Sequence, residues 1–305
     1  MKLFAKDRKG QVGRLGESLL IEEIQDWLGG ACPPSPRGIG DDCAVLPKIK
    51  GHPLVTVDPV VYGIHFDDSV PPKWVGEKLF KRNLSDIAAM GGTPKAAVIA
   101  LGLEAAVSAD WLKAFYQGLA AVSKRYGVAI VGGDVTSQPG FSASLTLIGE
   151  AGKRVLTRTG ARIGDRIYVT GKLGKTLSTG HHYRFTPRLP EGEWLSKQKA
   201  VRSLIDVSDG VAKDVQALTP PGAGVFLNEK AVPRRAGATI SQALTDGEDY
   251  ELLFSVSAET NARTFEAKWK KAFPKTALSS IGSFVALGKL RAPRLASLRG
   301  YEHLR

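Results

Sequence analysis

Val128-Ala129-Ile130-Val131-Gly132-Gly133-Asp134-Val135-Thr136 is the stretch on which the fold turns. Its first four residues, three of them β-branched, read as a short buried strand that runs directly into two glycines and an aspartate. Upstream, Ser108 is a candidate N-cap for a helix carrying Leu112, Phe115, Leu119 and Val122, with Gly127 to close it. Downstream, 141–149 reads as another strand. The same alternation extends outward in both directions. A helix is expected over 14–28, with Leu20, Ile24, Trp27 and Leu28 at helical spacing, and a β-branched run at 54–57 ends on Asp58. A second helix is expected over 73–90, with Phe80, Leu84, Ile87 and Ala88 as its buried stripe, and a strand over 96–103. The segment 153–165, rich in Arg, Gly and Thr, marks a domain boundary. Beyond it, strands are expected at 166–170, 203–207, 225–228 and 250–256, with helices running to about Leu218 and over 258–272. Such alternation predicts α/β or α+β layers rather than a sandwich or a bundle.

The chain has 305 residues, enough for two domains, and its 43% apolar and 24% charged residues exclude a disordered or fibrous protein. Its longest apolar stretch, 96–107, is broken by Glu104 and is too short to span a bilayer. The N-terminus lacks an apolar export segment, and two cysteines make no disulfide framework, so a reducing cytoplasm is the expectation. The net charge of +12 is compatible with nucleic acid, a membrane surface or polyanionic small molecules. The basic residues are scattered and no aromatic platform accompanies them, so a solvated basic surface is favoured and no nucleic-acid partner is expected.

Three tempting motifs fail. Gly171-Lys172-Leu173-Gly174-Lys175-Thr176 resembles the end of a P-loop, but Val169 stands where the first glycine is required. Gly38-Ile39-Gly40 has no third glycine at the dinucleotide-binding step. His181-His182 is an adjacent pair without a carboxylate partner nearby, which reads as a surface loop rather than a ligand pair.

Aspartates in glycine turns and at strand ends are the informative pattern: Asp41-Asp42, Asp58, Asp134, Asp206 with Asp209, and the group Asp246, Glu248, Asp249. Asp86 adds a carboxylate from a helix. Any one of them alone is explained by a turn or a cap, and Asp86 by an i,i+4 ion pair with Arg82. Their recurrence points further. Strand ends in layered folds converge on clefts, carboxylates gathered there repel one another unless cations bind between them, and Mg²⁺ takes such oxygen ligands together with phosphate. Acids as metal holders and glycine backbone as phosphate cradle describe phosphoryl transfer without a P-loop.

Six motifs then occur in order: Gly-Ile-Gly-Asp-Asp-Cys-Ala-Val-Leu (38–46), Asn-Leu-Ser-Asp-Ile-Ala-Ala-Met-Gly (83–91), Gly-Gly-Asp-Val-Thr (132–136), Leu-Thr-Arg-Thr-Gly-Ala (156–161), Ile-Asp-Val-Ser-Asp-Gly (205–210) and Gly-Glu-Asp-Tyr-Glu-Leu-Leu-Phe (247–254). Over roughly 14–303 the chain resembles the thiamine-monophosphate kinases of the aminoimidazole ribonucleotide (AIR) synthetase superfamily. The resemblance implies a two-domain AIR synthetase-like fold. Its N-terminal half (1–150) is a ferredoxin-like α+β domain that binds ATP and Mg²⁺ and dimerises through its sheet, and its C-terminal half (151–305) is an α/β domain. It implies ATP-dependent, direct in-line phosphorylation of thiamine monophosphate by a homodimer. Carried over residue by residue, Asp42, Thr56, Asp58, Asp86, Asp134, Asp206 and Asp209 fall on metal positions. Tyr116, Gly133, Asp134, Arg158 and Ser208 fall on nucleotide positions, and His65 and Glu248 on acceptor positions. Asp58, Asp134 and Arg158 are the residues expected to carry catalysis. The chain departs from the family at Val57, where a second hydroxyl is usual, and at Leu298, where an aromatic precedes the Gly-Tyr pair; either stacking on the acceptor is weaker here or Tyr301 takes the role. Another superfamily enzyme with a different phosphate acceptor, or a non-catalytic nucleotide-binding relative, is the competing reading. The chain lacks the cysteine settings of the selenophosphate and hydrogenase-maturation branches, and its retained acids argue against a dead enzyme.

Overall fold

A computed structural model of the chain describes residues 1–40, 43–287 and 300–301. Its contacts divide into two compact units, one of residues 1–87 with 93–150, the other of 88–92 with 151–305.

The first unit contains α1 (Gly16–Leu28), β1 (His52–Val61), α2 (Pro72–Ala89), β2 (Thr93–Leu103), α3 (Ala109–Tyr126), β3 (Ala129–Ser137) and β4 (Phe141–Ala151). The α3 punctuation follows the sequence signals: the Ser108 hydroxyl accepts the Trp111 N–H, and Gly127 adopts the left-handed conformation that ends the helix. The strands lie in the order β1-β4-β2-β3. β2 and β3 are parallel, joined by the α3 crossover, whereas β4 runs antiparallel to β2. Strict burial alternation along β4 shows how one face is sealed: Phe141, Ala143, Leu145 and Leu147 are buried, and Ser142, Ser144 and Thr146 are not. Val55 and Val57 of β1 are 74% and 60% exposed.

The second unit contains β5 (Arg166–Thr170), α4 (His181–Arg184), α5 (Leu189–Ser196), β6 (Val201–Asp206), α6 (Val211–Leu218), β7 (Ala223–Leu227), α7 (Ile240–Thr245), β8 (Leu252–Val256), α8 (Ala262–Ala272) and β9 (Leu278–Ala286). Its sheet has the order β6-β8-β5-β9-β7, and its strand pairs are antiparallel. The helix–strand alternation here therefore reflects helices laid on an antiparallel sheet, in contrast to the parallel pair β2/β3 of the first unit. Successive side chains of these strands alternate between two cores. Ile167, Val169, Ile205 and Leu253 pack with Val211 and Val215 of α6, while Tyr168, Leu204, Leu252 and Phe254 pack with Phe265 and Trp269 of α8. Both faces are covered, which explains why these strands read as near-continuous apolar runs. Among the described residues no helix is long and apolar enough to cross a membrane.

Candidate functional site

The strand that opened the sequence reading is an edge strand, and it does not stop at the glycines: Gly132, Gly133 and Asp134 pair with Val98, Ile99 and Ala100 in mid-strand and form part of a cavity of about 890 Å³ in the first unit. Ile21, Ile24 and Leu28 of α1 and Ile130 and Val131 of β3 make its apolar part, while Gly132, Gly133 and Asp134 lie at its polar end. Three of the positions expected to meet a nucleotide, Tyr116, Gly133 and Asp134, thus line one hollow. Gly133 is there because nothing larger fits: a Cβ on it would lie 2.2 Å from the Ile99 carbonyl oxygen of β2. Tyr116 is 3% exposed and its ring centroid lies 6.1 Å from that of Trp27. Burial pushes its hydroxyl well above the usual phenol range, so it stays neutral and offers a flat wall to a ring. Such a pocket, apolar with a few polar groups at one end, suits a nucleoside carrying phosphates.

A second group lies where β1 meets α2. Thr56 and Asp58 occupy alternate positions of β1 and so face the same side, towards α2. The Thr56 hydroxyl donates to Asp86 Oδ2 at 2.5 Å. Arg82 Nη2 lies 3.3 Å from Asp58 Oδ1, and Nη1 bonds the Pro59 carbonyl at 2.5 Å. Arg82 therefore pairs with Asp58 on the strand, and Asp86 takes the hydroxyl of Thr56. The reason is geometric: positions 78, 82 and 86 share one helix face, and that face lies on β1. Lys78, which the sequence reading did not select, and Arg82, read there only as an ion-pair partner of Asp86, belong to this stripe; the spacing of four residues from Lys78 to Arg82 and from Arg82 to Asp86 was the available signal.

His65 follows β1. Its Nδ1 accepts the Val61 N–H at 3.1 Å, so a neutral ring carries its proton on Nε2 as a donor. The buried Lys78 ammonium bonds the His65 carbonyl at 2.9 Å and fixes the turn.

Asp58 and Asp134 are separated by strands β4 and β2, three interstrand steps or about 14 Å. Asp134 is exposed beside Ala100, which pairs with Ser144 on the side away from α2, whereas Thr56 and Asp58 turn towards α2. Among the described residues no three His, Cys, Asp or Glu side chains gather into a metal-holding group. Asp42 lies outside the described residues. The donor set nevertheless fits Mg²⁺ in kind: Thr56, Asp58, Asp86 and Asp134 supply oxygen alone, and Thr56 and Asp86 already hold two such atoms 2.5 Å apart.

In the second unit, Asp206 is buried at the end of β6. Ser208 follows, half-buried, its carbonyl accepting the Glu248 N–H at 2.7 Å. Asp209 does not cap α6; Gly210 occupies the N-cap without a side-chain bond. Asp209 instead accepts from Lys213 Nζ at 2.6 Å, and its N–H donates to Asp214 at 3.1 Å. Burial, with the Asp209 charge beside it, pushes the Asp214 carboxyl up to about 7. Tyr301 is tied to the same place: its N–H bonds the Asp209 carbonyl at 3.0 Å and its carbonyl accepts from Lys213 at 2.8 Å. Arg158 is exposed on the segment before β5. Glu248 sits half-buried in the turn before β8. Leu298 lies outside the described residues.

The rejected motifs acquire physical reasons. The Gly174 and Lys175 amides, which a phosphate would need, are spent on the carboxylates of Asp249 (3.0 Å) and Asp246 (2.7 Å). The histidine pair is not a surface loop. His181 and His182 begin α4, and His182 is 7% exposed with Nδ1 3.1 Å from the Thr176 carbonyl. His181 Nε2 bonds the Asp249 carbonyl at 3.1 Å, and burial beside Arg235 lowers its pKa to about 4. His182 is buried and His181 half-buried, and it is His181 that ties the 171–185 segment to the 246–251 turn.

Residues 40–151 match the family described as AIR synthase related protein, N-terminal domain. The chain is 34% identical over 255 residues to the thiamine-monophosphate kinase of Rhodopirellula baltica, covering 76% of this chain and 79% of that one. It is 32% identical over 323 residues to the thiamine-monophosphate kinase of Salmonella typhimurium, covering 94% and 98%. The solved structure of AaThiL complexed with AMPPCP and TMP superimposes with a TM-score of 0.69 at 28% identity, covering 96% of this chain and 98% of that one. The AIR synthase-like fold is therefore shared.

Proposed function

The chain belongs to the thiamine-monophosphate kinase family, and from that premise we infer that it transfers the γ-phosphoryl group of ATP to thiamine monophosphate, giving thiamine diphosphate and ADP. The observation that carries this reading is the single cavity on which Tyr116, Gly133 and Asp134 converge. It lies within the unit that holds most of the family match.

The nucleophile is a phosphate oxygen of thiamine monophosphate, already anionic at neutral pH, so no general base is required. The obstacle is the approach of two polyanions. Arg158, exposed and permanently charged, is assigned to the transferring phosphoryl group. Tyr116 and the apolar wall take the adenine, Gly133 lets the backbone approach the phosphates, and Ser208 adds a hydroxyl. Thr56, Asp58, Asp86 and Asp134 of the first unit, Asp206 and Asp209 of the second, and Asp42 are the proposed Mg²⁺ ligands. Bound Mg²⁺ neutralises phosphate charge and fixes the triphosphate. Until a cation arrives, Arg82 and Lys213 neutralise Asp58 and Asp209. His65 offers its Nε2 proton to the acceptor phosphate, Glu248 a carboxylate to the cationic thiamine ring system, and Tyr301 an aromatic face.

We also propose a homodimer, supported by Val55 and Val57, two exposed valines on the face of β1 turned away from α2. The two domains of the proposal are 1–150, which handles ATP and Mg²⁺, and 151–305.

Purified protein incubated with ATP, MgCl₂ and a panel of phosphorylated acceptors tests the reading. Thiamine diphosphate should form with thiamine monophosphate, and only with both ATP and Mg²⁺ present. Turnover of another phosphorylated acceptor without thiamine diphosphate would refute it.

A further inference from the structure

The turn 246–251 carries more backbone strain than a connection between α7 and β8 needs. Glu248 has φ +53° and Tyr250 φ +52°, both in the left-handed region that residues with a Cβ rarely occupy. Each persists only where its surroundings over-determine it. The surroundings are identifiable. Glu248 N–H bonds the Ser208 carbonyl at 2.7 Å, Tyr250 N–H bonds the Val207 carbonyl at 2.8 Å, and Val207 N–H returns to the Glu251 carbonyl at 2.8 Å. The Tyr250 ring stacks on Phe185 with centroids 4.0 Å apart.

The acids of the turn divide by direction. Glu251 is buried, takes both Nε and Nη2 of Arg188 at 2.7 Å, and accepts the Thr170 hydroxyl at 2.6 Å. Asp249, 1% exposed, accepts the Gly174 N–H at 3.0 Å and pairs with Arg235. Arg235 also donates to the Gly174 carbonyl at 2.9 Å, so one guanidinium clamps the Asp249 side chain and the 171–175 turn together. Asp249 Oδ2 has no hydrogen-bond partner, and burial pushes its carboxyl up to about 7. Arg235 is thus the charge that compensates a poorly solvated carboxylate. Of the two half-buried acids of the turn, Asp246 is taken by the Lys175 amide at 2.7 Å, and Glu248, ahead of the two inward anchors, accepts from the Tyr250 hydroxyl at 3.4 Å.

We propose that Arg235 is a positioning residue for the phosphate acceptor: acting through Asp249, it holds the strained turn in the conformation that presents the Glu248 carboxylate to the thiamine ring system. The inference rests on the assignment of Glu248 as an acceptor contact. Without the clamp, Glu248 relaxes towards negative φ and its carboxylate swings out of register, while the nucleotide cavity of the first unit is untouched.

The test is steady-state kinetics on wild type, Glu248→Gln, Arg235→Met, Arg235→Lys and the double variant Arg235→Met/Glu248→Gln. Asp249→Asn, nearly isosteric with the acid, gives a second break in the clamp should Arg235→Met fold poorly. Expected is an acceptor KM raised at least tenfold in Glu248→Gln, Arg235→Met and Asp249→Asn, with ATP KM within twofold of wild type. Arg235→Lys should recover part of the loss, because it keeps the charge but not the fork. The double variant should be no worse than the more severe single variant, since both act on one carboxylate. An acceptor KM raised in Glu248→Gln but unchanged in Arg235→Met and Asp249→Asn overturns the positioning role and leaves the Glu248 assignment standing. An unchanged acceptor KM in Glu248→Gln overturns both. Multiplying effects in the double variant, or an ATP KM that rises with the acceptor KM, would mark Arg235 as a merely structural residue.

Discussion

Replacing Gly133 by Ala probes the β3 edge with a single methyl group. The added Cβ would sit 2.2 Å from the Ile99 carbonyl oxygen and 3.1 Å from its carbon, both backbone atoms that cannot rotate away. To reach an ordinary 3.4 Å contact, β3 must open from β2 by about 1.2 Å. Two neighbouring rungs of the parallel ladder weaken at about 1 kcal/mol each. The expected destabilisation is about 2 kcal/mol, or a Tm lowered by about 4–8 °C. The larger effect is functional, because Asp134 is the next residue and moves with the strand. A 1 Å misplacement of a group at a reacting centre costs on the order of 100-fold in rate. The assay is ADP release at saturating thiamine monophosphate with ATP varied, run well below the variant's Tm, beside a thermal melt. kcat/KM for ATP should fall about 100-fold in a protein that remains folded. A variant with wild-type Tm and ATP kinetics within twofold would refute the packing argument and the role of this edge.

Four further outcomes follow from the geometry. Asp58→Ala should lower kcat at least 100-fold while Tm changes little, since its pair with Arg82 is partly solvated and worth no more than about 1 kcal/mol; Mg²⁺-dependent turnover within twofold of wild type would remove Asp58 from the metal set. His65→Ala should raise the acceptor KM about tenfold through loss of one donor, with ATP KM unchanged; the reverse pattern would reassign it. Val55→Lys combined with Val57→Lys should convert a dimer to a monomer in light scattering, and a dimer of unchanged mass would place the interface elsewhere. Unfolded His181 protonates near pH 6.5 but folded His181 only near 4, so the unfolded state binds the extra proton between these values and stability falls as pH drops through that window. His181→Phe should therefore lose about 2 kcal/mol less than wild type between pH 6.5 and 5, and parallel stability curves would contradict the shift.

What the sequence made legible depended on how local the signal was. Ser108 and Gly127 mark α3 because capping is settled within a few residues. Strand β9 escaped because Ile281 and Phe284, both fully buried, are separated by Gly282 and Ser283. The register shift opposite Ile167/Tyr168 explains that spacing, since it breaks the period of two. The antiparallel order of the second sheet is a long-range property that helix–strand alternation does not encode. At the site, Gly133 and Asp134 read as a strand end, but β3 runs on through them to Ser137 in register with β2, a pairing that local sequence does not encode. The Arg82 pairing was not legible either, because an i,i+4 rule considers one helix and the partner came from β1. The histidine pair looked like surface because His181 is held by the Asp249 carbonyl, 68 residues away in sequence.

The most direct measurement is a ³¹P NMR time course of wild-type protein with ATP, thiamine monophosphate and MgCl₂. The γ-phosphorus signal of ATP should disappear as the β-phosphorus signal of thiamine diphosphate grows, mole for mole with ADP. ATP consumed to inorganic phosphate, with thiamine monophosphate left intact, would contradict the account.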